Sequence, residues 1–338
     1  MKKNLLYLFI LIALVCIAYF ISQKDTKQTN LSGDTIYYDF AIEDIDQVEK
    51  VFIGNNVNQK SILVEKVEDD VWVLENGERA QKDRIETMLS TFERAELLQI
   101  IPKSKLKSVS SKMAANNKKI MIFGANDQLL KTWYLSHATQ NQQGTYALLE
   151  LPDKGKSSLP AVITLQGFRG YLGSRFGTDI LEWKSTEVWH FPDLDFKKIS
   201  VFRPKNVHDS FEIEIEDFVN RKFTLKNNDG AELNFNPEKL AQYVAGFKSL
   251  YLESFRTNMS DTAIDSIRNA TPDYVLEVTG IDGAPFSMEF YHRPPTKDHV
   301  EAGYLLDPER MAGFFNDELV SFQTFHMGKM LAVTKEFN

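Results

Sequence analysis

The stretch "PDLDFKKISVFRP", residues 192–204, repeats an earlier part of the chain. Residues 43–54, "EDIDQVEKVFIG", have the same Asp-apolar-Asp opening, followed by a lysine and an alternating apolar run. Such alternation predicts a strand with one buried face. The chain therefore begins the same kind of element twice, about 150 residues apart.

The elements that follow also match, and they match in order. "SILVEKV" and "DVWVL" in the first copy correspond to the predicted strands "FEIEIE" and "KFTLK" in the second. Each copy then has an amphipathic helix, whose apolar positions are spaced i, i+3, i+4, i+7 and i+10. These positions are Ile85, Met88, Leu89, Phe92 and Ala95 in the first copy, and Leu240, Tyr243, Val244, Phe247 and Leu250 in the second.

Two further elements complete the repeat. "KKIMIFGANDQLLKTWYL" and "DYVLEVTGIDGAPFSMEFY" each predict a hairpin, and "GTYALLEL" aligns with "AGYLLDP", which sets Tyr146 opposite Tyr304. We therefore predict an α+β fold of two tandem repeated units, each of mainly antiparallel sheet with one amphipathic helix. The first unit covers residues 35–185 and the second covers residues 186–338.

The N-terminus predicts a membrane segment. Leu5 to Ile21 is an uncharged run of 17 residues, which as a helix spans about 26 Å, close to the bilayer core. Lys2 and Lys3 precede it and should remain cytoplasmic. We expect residues 1–21 to form a transmembrane signal anchor and residues 22–34 a flexible spacer. The body of a single-pass inner-membrane protein would then lie in the periplasm or otherwise outside the cytoplasm.

Two alternatives for this segment remain open. A signal peptide could be cleaved near the small residues Cys16 and Ala18, although bulky residues follow that site. A lipoprotein could be acylated at Cys16, although the usual small residue before such a cysteine is missing. All three interpretations place the body outside the cytoplasm.

Composition excludes several classes of function. The chain of 338 residues has a formal charge of −8 with mixed signs along its length, which disfavours nucleic acid as a partner. The single cysteine, Cys16, allows no intrachain disulfide and no cysteine metal cluster. The six histidines show no metal-ligand spacing, so neither a metal nor another cofactor is expected.

Residues 167–177, "GFRGYLGSRFG", are the strongest ligand-binding candidate. Arg169 and Arg175 among four glycines could present cations and N–H groups to an anion, but the stretch matches neither a P-loop nor a dinucleotide fingerprint. The alternative is a turn that packs Phe168, Leu172 and Phe176 inward.

His137 and His292 are the second candidate pair. They occupy equivalent places after the second strand of each hairpin, 155 residues apart. A duplicated ligand site would use such a pair, whereas the alternative is two solvated residues at strand ends.

The order of elements resembles a known family. The two strands ending in "VWVL", the helix, the hairpin and the later "FGTDILEWKSTEVWHFPDLDFKKISV" resemble a bacterial envelope family catalogued as domain of unknown function 4340. The resemblance implies membrane-anchored proteins with repeated extracytoplasmic α+β units, some found alongside ABC-transporter auxiliary or gliding-motility components. It supplies no catalytic residues.

These observations favour a non-enzymatic envelope protein that acts as a binding or scaffold subunit in a membrane protein complex. An alternative is an extracytoplasmic module that binds a small ligand or polysaccharide in a groove between the units. A hydrolase is a third hypothesis, but the chain has no GxSxG motif.

Overall fold

The computed structural model describes residues 28–31, 34–281, 283 and 285–337. The chain divides into two compact units, the first ending at Ser185 and the second beginning at Thr186. The boundary predicted from the repeat lies between the same two residues. Each unit is built on a large antiparallel sheet with helices, so the fold class is α+β.

The N-terminal part of the chain differs in one respect from the prediction. The predicted anchor, residues 1–21, lies outside the described residues, and no helix within the described ranges has the length and apolar character needed to cross a bilayer. β1 (Gln28–Leu31) and β2 (Asp34–Tyr37) pair in an antiparallel hairpin. The later part of the segment predicted as a flexible spacer, residues 22–34, is therefore strand, as its threonine and the Thr-Ile-Tyr that follows favour.

The first unit contains a nine-stranded sheet in which every pairing is antiparallel. Its strands are β3 (Lys50–Asn55), β4 (Ser61–Glu68), β5 (Val71–Leu74), β6 (Ala95–Ile100), β7 (Lys118–Phe123), β8 (Leu129–Ala138), β9 (Thr145–Leu151), β10 (Gly155–Lys156) and β11 (Ala161–Leu165). The spatial order is β5-β4-β3-β7-β8-β9-β11-β6, with β10 paired to β9 outside this path.

Two helices cover this sheet, α1 (Lys82–Arg94) and α2 (Lys103–Ala115). The α1 helix packs into the main core, whereas α2 joins a small separate cluster that includes Val162. Ala161 and Ile163, the neighbours of Val162 on β11, belong to the main core. Because successive strand residues face opposite sides of a sheet, α1 and α2 lie on opposite faces.

The second unit contains an eight-stranded antiparallel sheet and a separate two-stranded pair. Its strands are β12 (Glu187–His190), β13 (Phe196–Phe202), β14 (Phe211–Asp217), β15 (Lys222–Asn227), β16 (Ser249–Tyr251), β17 (Ser254–Phe255), β18 (Tyr274–Gly280), β19 (Pro285–His292), β20 (Arg310–Phe315) and β21 (Glu318–Gln323). The spatial order is β15-β14-β13-β18-β19-β20-β21-β17, and β12 pairs with β16.

In the described part of the second unit there are four helices: α3 (Pro237–Ala245), α4 (Asp261–Arg268), α5 (Lys297–Glu301) and α6 (Thr324–Met327). The N-terminus of α3 is capped by Asn236, whose side-chain oxygen accepts hydrogen bonds from two backbone N–H groups. Its apolar face joins the main core of the unit. The α4 helix packs instead in a separate small cluster with Tyr291.

The two large sheets have the same strand order, position by position, along all eight strands of their paths. The register matches as well. Val51 pairs with Val64 in the first unit, and Ile199 pairs with Ile213 in the second. Both pairs are buried beside a Lys–Glu pair one position earlier on the strand.

Two details of the predicted repeat are wrong. In each unit a second helix packs in a small cluster separate from the main core, α2 in the first unit and α4 in the second. Each unit therefore has more than one helix. Tyr146 lies in β9, but Tyr304 lies in the loop after α5, because the strand that occupies the place of β9 is β20, beginning at Arg310. The longer connection before β20 shifted the sequence alignment.

Candidate functional site

The glycine-rich stretch 167–177 is held against the first core. Leu172 and Phe176 are fully buried, as the packing interpretation predicts. The ammonium of Lys118 donates to the backbone carbonyls of Gly173 and Phe176, at 2.7 Å in both cases. Burial lowers the pKa of Lys118. At these two positions the stretch offers acceptors to a cation, which is the reverse of an anion cradle.

The two arginines of this stretch have different surroundings. Arg175 donates from Nη1 to the hydroxyl of Thr91 at 3.2 Å, and its guanidinium carbon lies 4.8 Å from the ring centre of Phe168. Burial, together with the charge of Arg94, lowers the pKa of Arg175. Because Thr91 lies in α1, this bond connects the stretch to that helix. Arg169 is exposed, and anion binding there stays a prediction.

His137 is the penultimate residue of β8 and His292 is the last residue of β19, but their environments differ. The His137 ring lies 4.8 Å from the ring of Tyr146, and its Nδ1 is 3.0 Å from the hydroxyl of Ser136. Burial and the nearby charge of Lys112 lower the pKa of His137. The site therefore favours a neutral imidazole.

His292 instead lies beside a carboxylate. Its Nδ1 is 3.1 Å from Asp273, which also accepts the backbone N–H of His292 and a bond from Lys205. Burial alone would raise the pKa of Asp273, but these hydrogen bonds lower it overall. The two histidines thus occupy equivalent positions without sharing a ligand geometry, and their role in binding stays a prediction.

The connection between β19 and β20, residues 293–309, is the feature that sequence reasoning missed. We call it the insert loop, because the first unit joins the equivalent strands with residues 139–144 only. Asp307 is buried and contacts groups at both ends of the loop. This buried carboxylate accepts the backbone N–H groups of Glu309 and Arg310 at 2.9 and 3.1 Å, and Oδ2 lies 3.7 Å from the guanidinium of Arg293.

Both ends of the insert loop are fixed in further ways. Thr296 and His299 form a reciprocal capping box at the start of α5. At the other end, Arg310 donates to the carboxylate of Glu253 at 2.9 Å, and Ser321 donates to the same carboxylate at 3.0 Å. Burial would raise the pKa of Glu253, but these bonds lower it overall.

On this braced loop the apolar side chains face solvent. Leu305 is 91% exposed. Phe325, which belongs to α6 and not to the loop, is 75% exposed and lines an open cavity of about 490 Å³ with Pro308. The other exposed apolar residues of the loop are Val300, Tyr304 and Leu306. An apolar patch on an ordered support is typical of a docking surface. The sequence signal for this patch is the "YLL" run at residues 304–306. Such a run predicts a buried strand equally well.

The first unit has a different open surface. β6 ends the sheet path, and its residues Leu97, Leu98 and Ile100 are exposed. A cavity of about 250 Å³ lies beside this strand, lined by Leu98, Lys105 and Tyr146 among others.

The described residues contain no group of three or more His, Cys, Asp or Glu side chains that could hold a metal ion. Comparison with protein-family models, with curated proteins and with solved structures finds no match. The described residues thus include an exposed apolar loop and an open strand edge, and the likeness to the envelope family stays a prediction.

Proposed function

We propose that this chain is a non-enzymatic envelope protein that acts as a binding or scaffold subunit of a membrane protein complex. Residues 1–21 are its transmembrane signal anchor, and they hold both units outside the cytoplasm. The insert loop is its docking surface for a protein partner. The resemblance to the 4340 family supports a setting beside an ABC transporter or a motility complex.

The exposed apolar side chains of the insert loop are the observation that carries this proposal. Leu305 is 91% exposed, so the isolated fold gains almost nothing from burying it. The loop is ordered by Asp307 and the capping box, neither of which uses Leu305. A partner that covers the patch would therefore bury apolar area on a support that is already ordered.

Charge favours a protein partner over a phospholipid surface. The insert loop contains Arg293 and Lys297 against four acidic residues, Asp298, Glu301, Asp307 and Glu309. A loop with an acidic excess is repelled by anionic headgroups. The partner surface that fits it is an apolar pocket with basic residues around its rim.

The test uses the full chain in native membranes. After chemical crosslinking and affinity capture, partners recovered with the unchanged chain are compared with those recovered with the double variant Leu305→Asp, Leu306→Asp. We expect recovery of a specific partner to fall by about tenfold or more, because a charge is placed in an apolar contact. The matched control is Val219→Asp, at a residue 87% exposed in a turn of the same unit.

Hydrogen exchange of the remaining loop should be the same in both variants, which shows that the fold is intact. Equal recovery of every partner by the double variant and by Val219→Asp would contradict the proposal.

A further inference from the structure

The edge strand β6 is left open in the first unit. Among the described strands it pairs with β11 alone, so its other side carries unpaired backbone groups. Five of its six residues are exposed, and Leu98 is 48% exposed. Proteins commonly protect such an edge with lysine, with proline or by shortening the strand. β6 contains neither lysine nor proline.

The second unit protects the same place. There the chain after α3 is divided into β16, which pairs with β12, and β17, a strand of two residues. Because the strand order is otherwise the same, the open edge belongs to the first unit and is not a necessity of the fold.

A cavity accompanies the edge. Its volume is about 250 Å³, and it is lined by the buried side chains of Ile101, Val109 and Val162 together with polar residues such as Gln99 and Asn141. Leu98 and Lys105 lie at its rim. When an extended segment adds to a sheet edge, backbone hydrogen bonds give affinity and pockets for alternate side chains give specificity. This cavity is large enough for one aliphatic side chain.

The charge of the residues around β6 indicates what kind of partner would bind there. β6 carries one exposed acidic residue, Glu96. Beyond it, residues 97–126 contain no Asp or Glu in a chain whose net charge is −8. The lysines of this segment are Lys103, Lys105, Lys107, Lys112, Lys118 and Lys119. The four on α2 are exposed, and none has an acidic partner among the described residues. In the second unit, α4 carries two aspartates and one arginine instead.

We infer that β6 binds an extended segment of an acidic protein partner by strand addition. The segment pairs with the open side of β6, places one aliphatic side chain in the cavity beside Leu98, and sets carboxylates against Lys103 and Lys105. A second copy of this chain fits less well, because it would bring one lysine-rich segment towards another. The inference does not depend on the insert loop.

The test uses a fluorescein-labelled ten-residue peptide in which valine and glutamate alternate, with the full chain kept in detergent. Fluorescence anisotropy gives Kd, and hydrogen exchange reports protection of residues 95–100. The matched probe has lysine in place of glutamate, and we expect it to bind at least about tenfold more weakly.

Three variants separate strand addition from simple charge attraction. Lys105→Glu should weaken binding of the acidic peptide by about tenfold. Leu98→Lys should weaken it by a similar factor even though it adds a positive charge, because a lysine on the edge blocks pairing and fills the cavity. Val57→Lys, at an exposed turn of the same unit, should change Kd by less than about twofold.

Several results would overturn the inference. One is tighter binding by Leu98→Lys, which would indicate charge attraction alone. A second is peptide binding without added protection of residues 95–100. A third is binding to phosphatidylglycerol vesicles that requires Lys105 but not Leu98, which would assign the lysines to a membrane surface. A fourth is a dimer of the unchanged chain that Leu98→Lys separates, which would make the occupant a second copy.

Discussion

The first unit and the second unit place their strands in one order, yet they leave different parts of that order uncovered. The first has a six-residue edge, β6, beside a helix with four lysines and no acid. The second has a two-residue edge, β17, and carries exposed apolar residues on its insert loop. The same strand order therefore leaves an apolar edge strand exposed beside a lysine-rich helix in the first unit, and an apolar loop with an acidic excess exposed in the second.

The largest expected effect on stability comes from substitutions in the two cores. These substitutions test whether each core unfolds separately. Trp133 and Met288 occupy the same place on β8 and β19 and are buried. We expect Trp133→Ala to cost about 3–5 kcal/mol of unfolding free energy and Met288→Ala about 2–4 kcal/mol. Hydrogen exchange resolved along the chain should show lost protection only in the unit that carries the change. Equal loss of protection in both units would show that the two cores do not unfold separately.

A smaller effect on stability is expected from the indole hydrogen bonds of two buried tryptophans. The indole N–H of Trp189 donates to the carbonyl of Phe247 at 3.0 Å, whereas that of Trp133 has no partner among the described residues. Trp189→Phe should therefore cost about 1–2 kcal/mol more than Trp133→Phe, because it leaves a buried carbonyl unpaired. Urea unfolding measures both. A larger loss of unfolding free energy in Trp133→Phe than in Trp189→Phe would show that the indole N–H of Trp133 is paired.

The smallest effect is on acid stability. The pKa values of Glu253 and Asp273 in the second unit are lowered by hydrogen bonds that outweigh burial, and in the first unit the pKa of Glu78 is lowered in the same way by Lys184. A lowered folded-state pKa gives stability that is complete above the unfolded pKa, about 4, and is lost as pH falls through the folded value.

The second unit should accordingly lose more stability than the first between about pH 5 and pH 3. Asp273→Asn should flatten that dependence, with Asp229→Asn, at an exposed site on a turn of the same unit, as its control. Urea midpoints measured against pH check the expectation, and an unchanged slope in Asp273→Asn would count against it.

The strands of both units were predictable because their signal is local. "KVFIG" and "KISVF" alternate with period two, and the structure buries Val51, Ile53, Ile199 and Val201. The α2 helix was missed because only Val109 and Met113 are buried among its many polar residues, so its apolar periodicity is weak.

The candidate sites were less predictable because they depend on topology. An apolar run such as residues 97–100 predicts a buried strand, and only the final strand order shows that it is an edge. Asp307 gave no signal either, since a carboxylate in a loop is usually exposed. Arg175 and Lys118 acquire their partners from segments more than fifty residues away in the chain.

The position of β6 also has a kinetic consequence. This strand is complete at residue 100, but its only neighbour among the described strands, β11, begins at residue 161. Pairing of such high contact order forms late. A nascent chain that does not yet include residues 161–165 therefore exposes Leu97, Leu98 and Ile100 without the neighbouring strand, a state prone to aggregation.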